Sequence, residues 1–171
     1  MNKYTGIRIK NPEDIYNITK NYANKKQEHF ILITLNGASE VIKIHNVTKG
    51  LVNMVLVHPR EVFSRALKDL SVSIAFVHNH PSGNIDETSE KDKEITERLC
   101  SVAKIMGICV IDHVIISKNG WRSMAKHGEL LVDWRNSKTS DYEYVAEILK
   151  EYKIERIQIG GKYGYKRNLG I

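Results

Sequence analysis

Apolar residues along most of the chain follow two patterns, one typical of strands and the other typical of helices. Short apolar runs such as HFILITL predict buried strands, and apolar positions three and four residues apart predict amphipathic helices. The predicted strands are residues 29–35, 40–45, 52–57, 73–80, 107–117 and 121–124. The predicted helices are residues 12–22, 59–70 and 90–106. This order predicts an α/β (α+β) fold, in which a mixed sheet is flanked by helices.

Turn and capping residues mark where several of these elements begin. The segment NPED at 11–14 offers an N-cap asparagine, a proline at the first helical position and acidic residues in the first turn. The segment SEKD at 89–92 has the spacing of an N-cap serine and an N3 acid. Asn36-Gly37 lies between the first two strands and is typical of a type I′ turn, so we predict a tight hairpin there.

The pattern changes after Leu131. Residues 133–141 are polar, and residues 142–152 carry apolar positions at helical spacing. The chain then ends in a segment rich in glycine and cationic residues. We therefore predict one domain over residues 1–131 and a C-terminal extension over residues 132–171, to which the sequence gives no role.

Composition limits the classes of protein that need to be considered. The chain has 171 residues, 42% of them hydrophobic, which is enough for one domain with a core of its own. The net charge of +6 is compatible with an acidic partner such as nucleic acid, although the lysines are spread along the chain.

We expect neither a membrane segment nor a secreted protein. No apolar stretch approaches the roughly 18 residues of a transmembrane helix, and the first 26 residues lack the apolar core of a signal peptide. The two cysteines, Cys100 and Cys109, have no paired spacing. A reducing compartment is therefore expected, and we place the protein in the cytoplasm.

Two histidines and a carboxylate form the most informative pattern of the chain. His78 and His80 are two residues apart at the end of an apolar run, so both side chains would lie on one face of a strand. Asp92 follows after a turn and could complete a set of three ligands. Two imidazoles and one carboxylate, with a fourth position open to water, are typical of a catalytic zinc site. Alternatively, Asp92 is only the N3 acid of a helix capped by Ser89.

Together with Glu61, these residues resemble the JAMM signature of the JAB/MPN metalloenzymes. The signature consists of a glutamate, H-x-H-P-S-G and S-x-x-D. Further segments narrow the resemblance to the RadC-like branch of that family over roughly residues 7 to 131; they are QEHFILITLN, VHPREVFSRALK, HNHPSGN, EITERL, IDHVIIS and residues 121–130. The resemblance implies a JAB/MPN (cytidine deaminase-like) architecture.

The resemblance also implies a role for each motif residue. His78, His80 and Asp92 would bind one Zn²⁺ per chain. Glu61 would act as the general acid/base that exchanges protons with the attacking water, and Ser89 would stabilise the oxyanion of the tetrahedral intermediate. The implied reaction is hydrolysis of an amide, as in a metallopeptidase or isopeptidase acting on a peptide or protein.

The loop before Asp92 departs from the family pattern. Eleven residues separate His80 from Asp92, one more than the usual spacing, and Thr88 replaces the usual proline before Ser89. Either this loop absorbs an extra residue, or Thr88 takes the serine position and Lys91 falls on the ligand position. Because a lysine cannot serve as that ligand, we favour the first alternative, with Thr88 as the rival of Ser89 for the oxyanion role.

Two more polar residues, Asp112 and His113, lie in the strand predicted at 107–117. They could support the metal ligands from behind, or they could occupy an edge of the sheet.

Three functions stay open at this level. The first is a zinc-dependent metallopeptidase-like hydrolase, and the second is a metal-dependent DNA-processing enzyme, in line with the DNA-repair label that RadC-like proteins carry. The DNA alternative depends on the basic and aromatic tail; its residues are Lys162, Tyr163, Tyr165, Lys166 and Arg167. The third is a noncatalytic scaffold. An HNH nuclease is excluded because the residues that give it its name are dispersed over a larger metal-binding finger. A zinc deaminase is excluded because position 80 is not a glutamate and no paired cysteines follow. The oligomeric state is not predicted.

Overall fold

The structure is a computed structural model that describes residues 3–50 and 57–130, together with the backbone of two strands near the C-terminus. The chain divides into two compact units, residues 1–134 and residues 135–171. The strand predicted over residues 52–57 lies, except for Val57, outside the described residues, and so does the helix predicted over residues 142–152.

The first unit contains three helices and five strands within the described residues. The helices are α1 (Pro12–Thr19), α2 (Pro59–Lys68) and α3 (Glu90–Ile105), and a short 3-10 helix (Lys20–Tyr22) follows α1. The strands are β1 (His29–Leu35), β2 (Val41–Lys49), β3 (Ser73–Asn79), β4 (Cys109–Ser117) and β5 (Gly120–Ser123). In the second unit, β6 (Ile154–Ile159) pairs antiparallel with β7 (Lys162–Arg167).

The five strands of the first unit form one mixed sheet in the order β2-β1-β3-β4-β5. β3 and β4 run parallel and are joined through α3, whereas the other neighbouring strands run antiparallel. A parallel pair needs a crossover connection of this kind. The predicted α+β fold, with a mixed sheet and flanking helices, is confirmed.

The two faces of the sheet pack against different helices. Alternation along β3 places Ile74 and Phe76 on one face, where they share a core with residues of α2 and α3. Ala75 and Val77 lie on the other face, in a second core that includes residues of α1. The same alternation sends His78 toward α3 and the side chain of Asn79 toward the α1 face.

The hairpin between β1 and β2 differs from the prediction. A type I′ turn needs positive φ at both central residues, but Ser39 takes the left-handed conformation here, with φ 61°. The Asn36 side chain accepts hydrogen bonds from the backbone N–H groups of Ala38 and Glu40, at 2.9 and 3.0 Å. Asn36 therefore organises a wider turn, and the type I′ prediction is wrong because this side chain competes for the backbone donors.

The described helices and cysteines have no unusual features. None of the helices in the described parts of the chain is long and apolar enough to cross a membrane. Neither cysteine is in a disulfide bond, and Cys100 of α3 is buried in the core that this helix shares with α2. Burial raises the pKa of the Cys100 thiol to about 12, so it behaves as a small apolar residue.

Candidate metal centre

His78, His80 and Asp92 come together at the C-terminal end of β3. The Nε2 atoms of the two imidazoles are 2.8 Å apart. Asp92 Oδ1 is 3.3 Å from His78 Nε2, and Asp92 Oδ2 is 3.5 Å from His80 Nε2. One ligand atom from each side chain lies within 4.8 Å of the others, so the three groups could hold one metal ion.

The end of β3 and the turn after it orient the two histidines. His78 is fully buried within the strand, and His80 follows it at the mouth of the site, where its Nδ1 is 2.8 Å from the Asn84 carbonyl oxygen. Gly83 closes the turn by donating its N–H to the His80 carbonyl at 3.0 Å. Its φ of 92° favours glycine here, and an added Cβ would lie 2.8 Å from a side-chain nitrogen of Asn119, which would have to shift.

Asp92 is both a helix-capping residue and a member of the cluster. It is the N3 residue of α3 and forms a capping box with Ser89, whose hydroxyl donates to Asp92 Oδ2 at 2.7 Å. The Ser89 N–H also donates to this oxygen, at 3.2 Å. The capping interpretation and the metal interpretation are therefore compatible, because the cap holds the carboxylate in an orientation that also places Oδ1 close to His78.

Burial and hydrogen bonding shift the pKa values of the cluster in different directions. Burial opposes the charged form of Asp92, but hydrogen bonds to His78 and His80 hold the pKa of this carboxyl far below its usual range. Burial lowers the pKa of His78. For His80, burial is outweighed by the hydrogen bonds to Asp92 and Asn84, which raise its pKa. Asp92 therefore stays ionised at neutral pH and supplies a negative ligand.

Behind His78, a second buried imidazole supports the cluster. His113 of β4 is 0% exposed, and its Nε2 lies 2.8 Å from His78 Nδ1. Asp112 points elsewhere, because it accepts hydrogen bonds from Ser123 Oγ at 2.6 Å and from the N–H of Ala125 at 3.1 Å. The support from behind that the sequence suggested therefore applies to His113, while Asp112 holds the turn after β5.

The structure does not bring Glu61 to the cluster. Glu61 is the N3 residue of α2, its side chain is 52% exposed, and its carboxylate lies 3.3 Å from the guanidinium of Arg65. The next two residues, Val62 and Phe63, are buried in the core, which leaves Glu61 on the solvent side of the helix. In the structure this carboxylate thus pairs with a surface arginine and is not among the residues that line the cavity beside His80.

Glu28 is the acidic residue that reaches the site instead. It lines a cavity of about 550 Å³ together with His80, Ser89 and Asp92. Its negative charge acts to raise the pKa of both clustered histidines. The antiparallel register pairs Phe30 with His78, and if it is extended by two residues, past the start of β1, Glu28 lies opposite His80. In the sequence, Glu28 could be noticed only as an acidic residue directly before β1, the strand that pairs with the histidine-bearing β3.

Asn79, between the two histidines, holds the segment that carries Glu28. Its side-chain oxygen accepts a hydrogen bond from the His29 N–H at 2.7 Å. Its amide group donates to the carbonyl oxygens of Gln27 and Lys25, at 3.0 and 3.3 Å. The backbone on both sides of Glu28 is therefore tied to β3. These hydrogen bonds link the segment that carries Glu28 to the strand end that carries the histidines.

The structure separates the two hydroxyl residues before α3. Thr88 is buried, donates to Glu129 Oε2 at 2.5 Å and accepts from Arg122 Nε at 3.2 Å. Ser89 instead lines the cavity. The remaining wall of the cavity includes two lysines; its residues are Lys26, Gln27, Gly50, Pro81, Ser82, Asn84 and Lys91.

A mixed sheet with a crossover helix, two histidines at a strand end and an aspartate in the next helix define a JAB-type domain with a potential metal site. The family model of the RadC-like JAB domain matches residues 9–129. The chain belongs to this family. This confirms the resemblance drawn from the motifs.

Three relatives of the chain carry the name UPF0758 protein. One from Methanospirillum hungatei strain JF-1 is 46% identical over 126 residues, which are 72% of this chain and 56% of the relative. One from Alkaliphilus metalliredigens strain QYMF is 44% identical over 118 residues, 68% of this chain and 50% of the relative. One from Rubrobacter xylanophilus is 41% identical over 123 residues, 71% of this chain and 53% of the relative. The chain spans about half the length of the curated relatives it matches.

Proposed function

We propose that this protein is a zinc-dependent hydrolase of the JAMM type that cleaves an amide bond in a peptide or protein. The observation that carries the proposal is the convergence of His78, His80 and Asp92, two of which, His80 and Asp92, line a cavity. A divalent cation held by two imidazoles and one carboxylate keeps a position for water and lowers the pKa of that water to about 7.

The donor atoms of the cluster fit zinc. Imidazole nitrogen and carboxylate oxygen are its common ligands in catalytic sites. His78 presents Nε2 to the cluster while its Nδ1 is engaged by His113, which is the arrangement typical of a ligating histidine. The ionised carboxylate of Asp92 offsets part of the charge of a cation. His78, His80 and Asp92 are therefore the proposed ligands.

Glu28 takes the role of general acid/base in this proposal, in place of Glu61. Glu28 lines the cavity beside His80 and is held there through Asn79, whereas the Glu61 carboxylate pairs with a surface arginine. Glu28 would accept a proton from a water molecule while the oxygen of that water attacks the carbonyl carbon. It would return that proton to the leaving nitrogen as the C–N bond breaks.

Ser89 is the proposed hydroxyl donor for the oxyanion. It lines the cavity, while the hydroxyl of Thr88 is engaged by Glu129 and Arg122. In the structure the Ser89 hydroxyl donates to Asp92. The proposal requires it to rotate toward the substrate oxygen as negative charge develops there.

We also propose that residues 1–131 form the hydrolase domain and that residues 132–171 are an extension of it. The family match ends at residue 129, and the division into compact units falls after residue 134. Both observations support a boundary near residue 131.

Metal content and substrate class can be tested together. Zinc would be measured by elemental analysis in the wild type and in the His78→Ala/His80→Ala variant, and both would be assayed on peptide, ubiquitin-like conjugate and single-stranded DNA substrates. We expect one zinc per wild-type chain, none in the variant, and amide cleavage by the wild type alone. Stoichiometric zinc in the variant would overturn the ligand assignment. Cleavage of DNA alone, lost in the variant, would replace the amide hydrolase with a DNA-processing enzyme.

A further inference from the structure

We propose that His113 and Thr96 are positioning residues that hold His78 in the tautomer whose Nε2 lone pair faces the metal position. The inference rests on the proposed function, because it takes His78 as a ligand. It assigns a task to two buried polar residues behind the cluster that are not themselves ligands.

A continuous chain of hydrogen bonds runs from His78 to the backbone of Asp92. His78 Nδ1 is 2.8 Å from His113 Nε2, and His113 Nδ1 is 2.6 Å from Thr96 Oγ1. Thr96 Oγ1 is in turn 2.5 Å from the carbonyl oxygen of Asp92. His78 and His113 are 0% exposed and Thr96 is 2% exposed. These groups must therefore satisfy one another rather than bind solvent.

The direction of every hydrogen bond in this series follows from its last acceptor, the carbonyl oxygen of Asp92. A carbonyl oxygen can only accept, so the Thr96 hydroxyl donates its one proton to Asp92. The Thr96 oxygen must then accept from His113, which places the His113 proton on Nδ1. A neutral His113 ring consequently has its lone pair on Nε2 and accepts from the Nδ1–H of His78. The lone pair of His78 is left on Nε2, facing His80 and Asp92.

The surroundings of His113 favour the neutral ring that this argument needs. Its ring packs edge-to-face against Phe30 and Phe76, with centroids 5.6 and 5.8 Å away. Its hydrogen-bond partners among the described residues are the imidazole of His78 and the hydroxyl of Thr96, and neither carries a negative charge. A charged imidazolium is costly at such a place without an anionic partner.

The chain also connects two of the proposed ligands through three elements. It starts at His78 on β3, passes through His113 on β4 and ends in the first turn of α3, where Asp92 lies. The same hydroxyl that orients His113 therefore contacts the backbone of the carboxylate ligand. Loss of that hydroxyl should disturb the ligands without removing any of them.

The tautomers can be read in the metal-free protein by two-bond ¹H–¹⁵N correlation NMR of the histidine rings. We expect His78 and His113 both to carry their proton on Nδ1. In Thr96→Val, which keeps the shape but lacks the hydroxyl, His113 should become a mixture of tautomers. Thr34→Val is the matched control, because Thr34 is also a buried threonine, and it donates to Asp69 at 2.7 Å on another part of the sheet. A wild-type His113 protonated on Nε2 would overturn the proposal.

Zinc affinity, measured by competition with a chromophoric chelator, gives the second readout. Thr96→Val and His113→Leu should each weaken binding by roughly 10- to 100-fold. His113→Gln offers a carbonyl oxygen near the Nε2 position and should recover part of the loss, while Thr34→Val should match the wild type. Unchanged affinity in Thr96→Val, or equal loss in Thr34→Val, would contradict a positioning role. If the wild type bound no zinc but showed the expected tautomers, the proposed function would fail while the hydrogen-bond chain would stand.

Discussion

The helices α2 and α3 begin alike but serve the site differently. Each has an acidic residue at its N3 position, Glu61 in α2 and Asp92 in α3, where a carboxylate interacts favourably with the helix dipole. The Glu61 side chain is half-exposed and pairs with Arg65, whereas Asp92 is 1% exposed and lies against two histidines. Position within a helix therefore does not decide which acid lies against the histidines.

The difference comes from how each helix is connected to the strands of the sheet. α3 follows directly on the turn after His80 and crosses over from β3 to β4, so its first turn lies above the C-terminal end of β3. α2 begins after a different connection and buries Val62 and Phe63 instead. The topology of the sheet selects Asp92, and β1, which pairs with β3, supplies the second acid, Glu28.

The largest effect should separate the two N3 acids by zinc binding. Asp92→Ala removes a proposed ligand and should abolish stoichiometric zinc, whereas Glu61→Ala removes only a partly exposed ion pair and should retain it. Equilibrium dialysis followed by elemental analysis measures both variants. Equal zinc content in the two variants would remove the distinction between these helices.

The second prediction concerns the link between Asn79 and the segment of Glu28. Asn79→Ala loses three hydrogen bonds to the backbone of residues 25–29 but leaves His78 and His80 in place. Because displacement of a catalytic group by about 1 Å can cost up to 100-fold in rate, we expect hydrolysis to fall about 10- to 100-fold with zinc content unchanged.

A second asparagine provides the control for this experiment. Asn36→Ala also loses side-chain hydrogen bonds to backbone N–H groups, but in the hairpin between β1 and β2. It should affect stability without lowering the rate of the folded protein. If Asn79→Ala and Asn36→Ala changed the rate equally, the assigned role of Asn79 would be wrong.

The sequence alone predicts the three residues of the candidate metal cluster. His78 and His80 follow from the period of a strand. Asp92 follows from its place after the turn and from the JAMM resemblance, since the capping-box spacing alone predicts only an N3 acid. Glu28 could not be located in this way, because it reaches His80 only through pairing between β1 and β3. Two further elements, β2 and α2, separate these strands along the chain.

The secondary structure shows the same limit of local rules. The apolar runs predicted the strands that form the sheet and its mixed character. The turn type predicted at Asn36 is wrong, because the type I′ pattern does not include the side-chain hydrogen bonds that Asn36 makes. His113 was recognised as polar within a strand, but only the parallel register beside Phe76 brings it behind His78.

A third prediction concerns the pH dependence of the stability that Asp69 gives to the C-terminal end of α2. Asp69, the C-cap of α2, accepts hydrogen bonds from His45 at 2.5 Å and Thr34 at 2.7 Å. Burial opposes its charge, but these bonds outweigh burial and lower the pKa of the Asp69 carboxyl. Its stabilising effect is therefore full above the ordinary carboxyl pKa of about 4 and is lost as pH falls through the lowered value.

Asp69→Asn should accordingly destabilise the protein at pH 7 by about 1 to 3 kcal/mol, and by much less near pH 2. Urea unfolding at the two pH values measures the difference. A loss that did not depend on pH would show that the negative charge of Asp69 is not what holds this end of α2.

The smallest effect compares the N-caps themselves. Ser89→Ala removes a side-chain cap and should lower the free energy of unfolding of the metal-free protein by about 1 kcal/mol. His58, the N-cap of α2, makes no side-chain capping hydrogen bond, so His58→Ala should change it by less than about 0.5 kcal/mol. Thermal or urea unfolding detects this difference, and equal losses would mean that the two N-termini are capped alike.

The central claim, that topology rather than helix position selects the acid of this site, is tested most directly with Glu28→Gln and Glu61→Gln. Both substitutions remove one negative charge and nearly preserve shape. Zinc content and the rate of amide hydrolysis would be measured for each variant beside the wild type. We predict that both bind zinc, that Glu28→Gln loses about 100- to 10,000-fold in rate, and that Glu61→Gln hydrolyses like the wild type. A rate lost in Glu61→Gln and kept in Glu28→Gln would contradict the account.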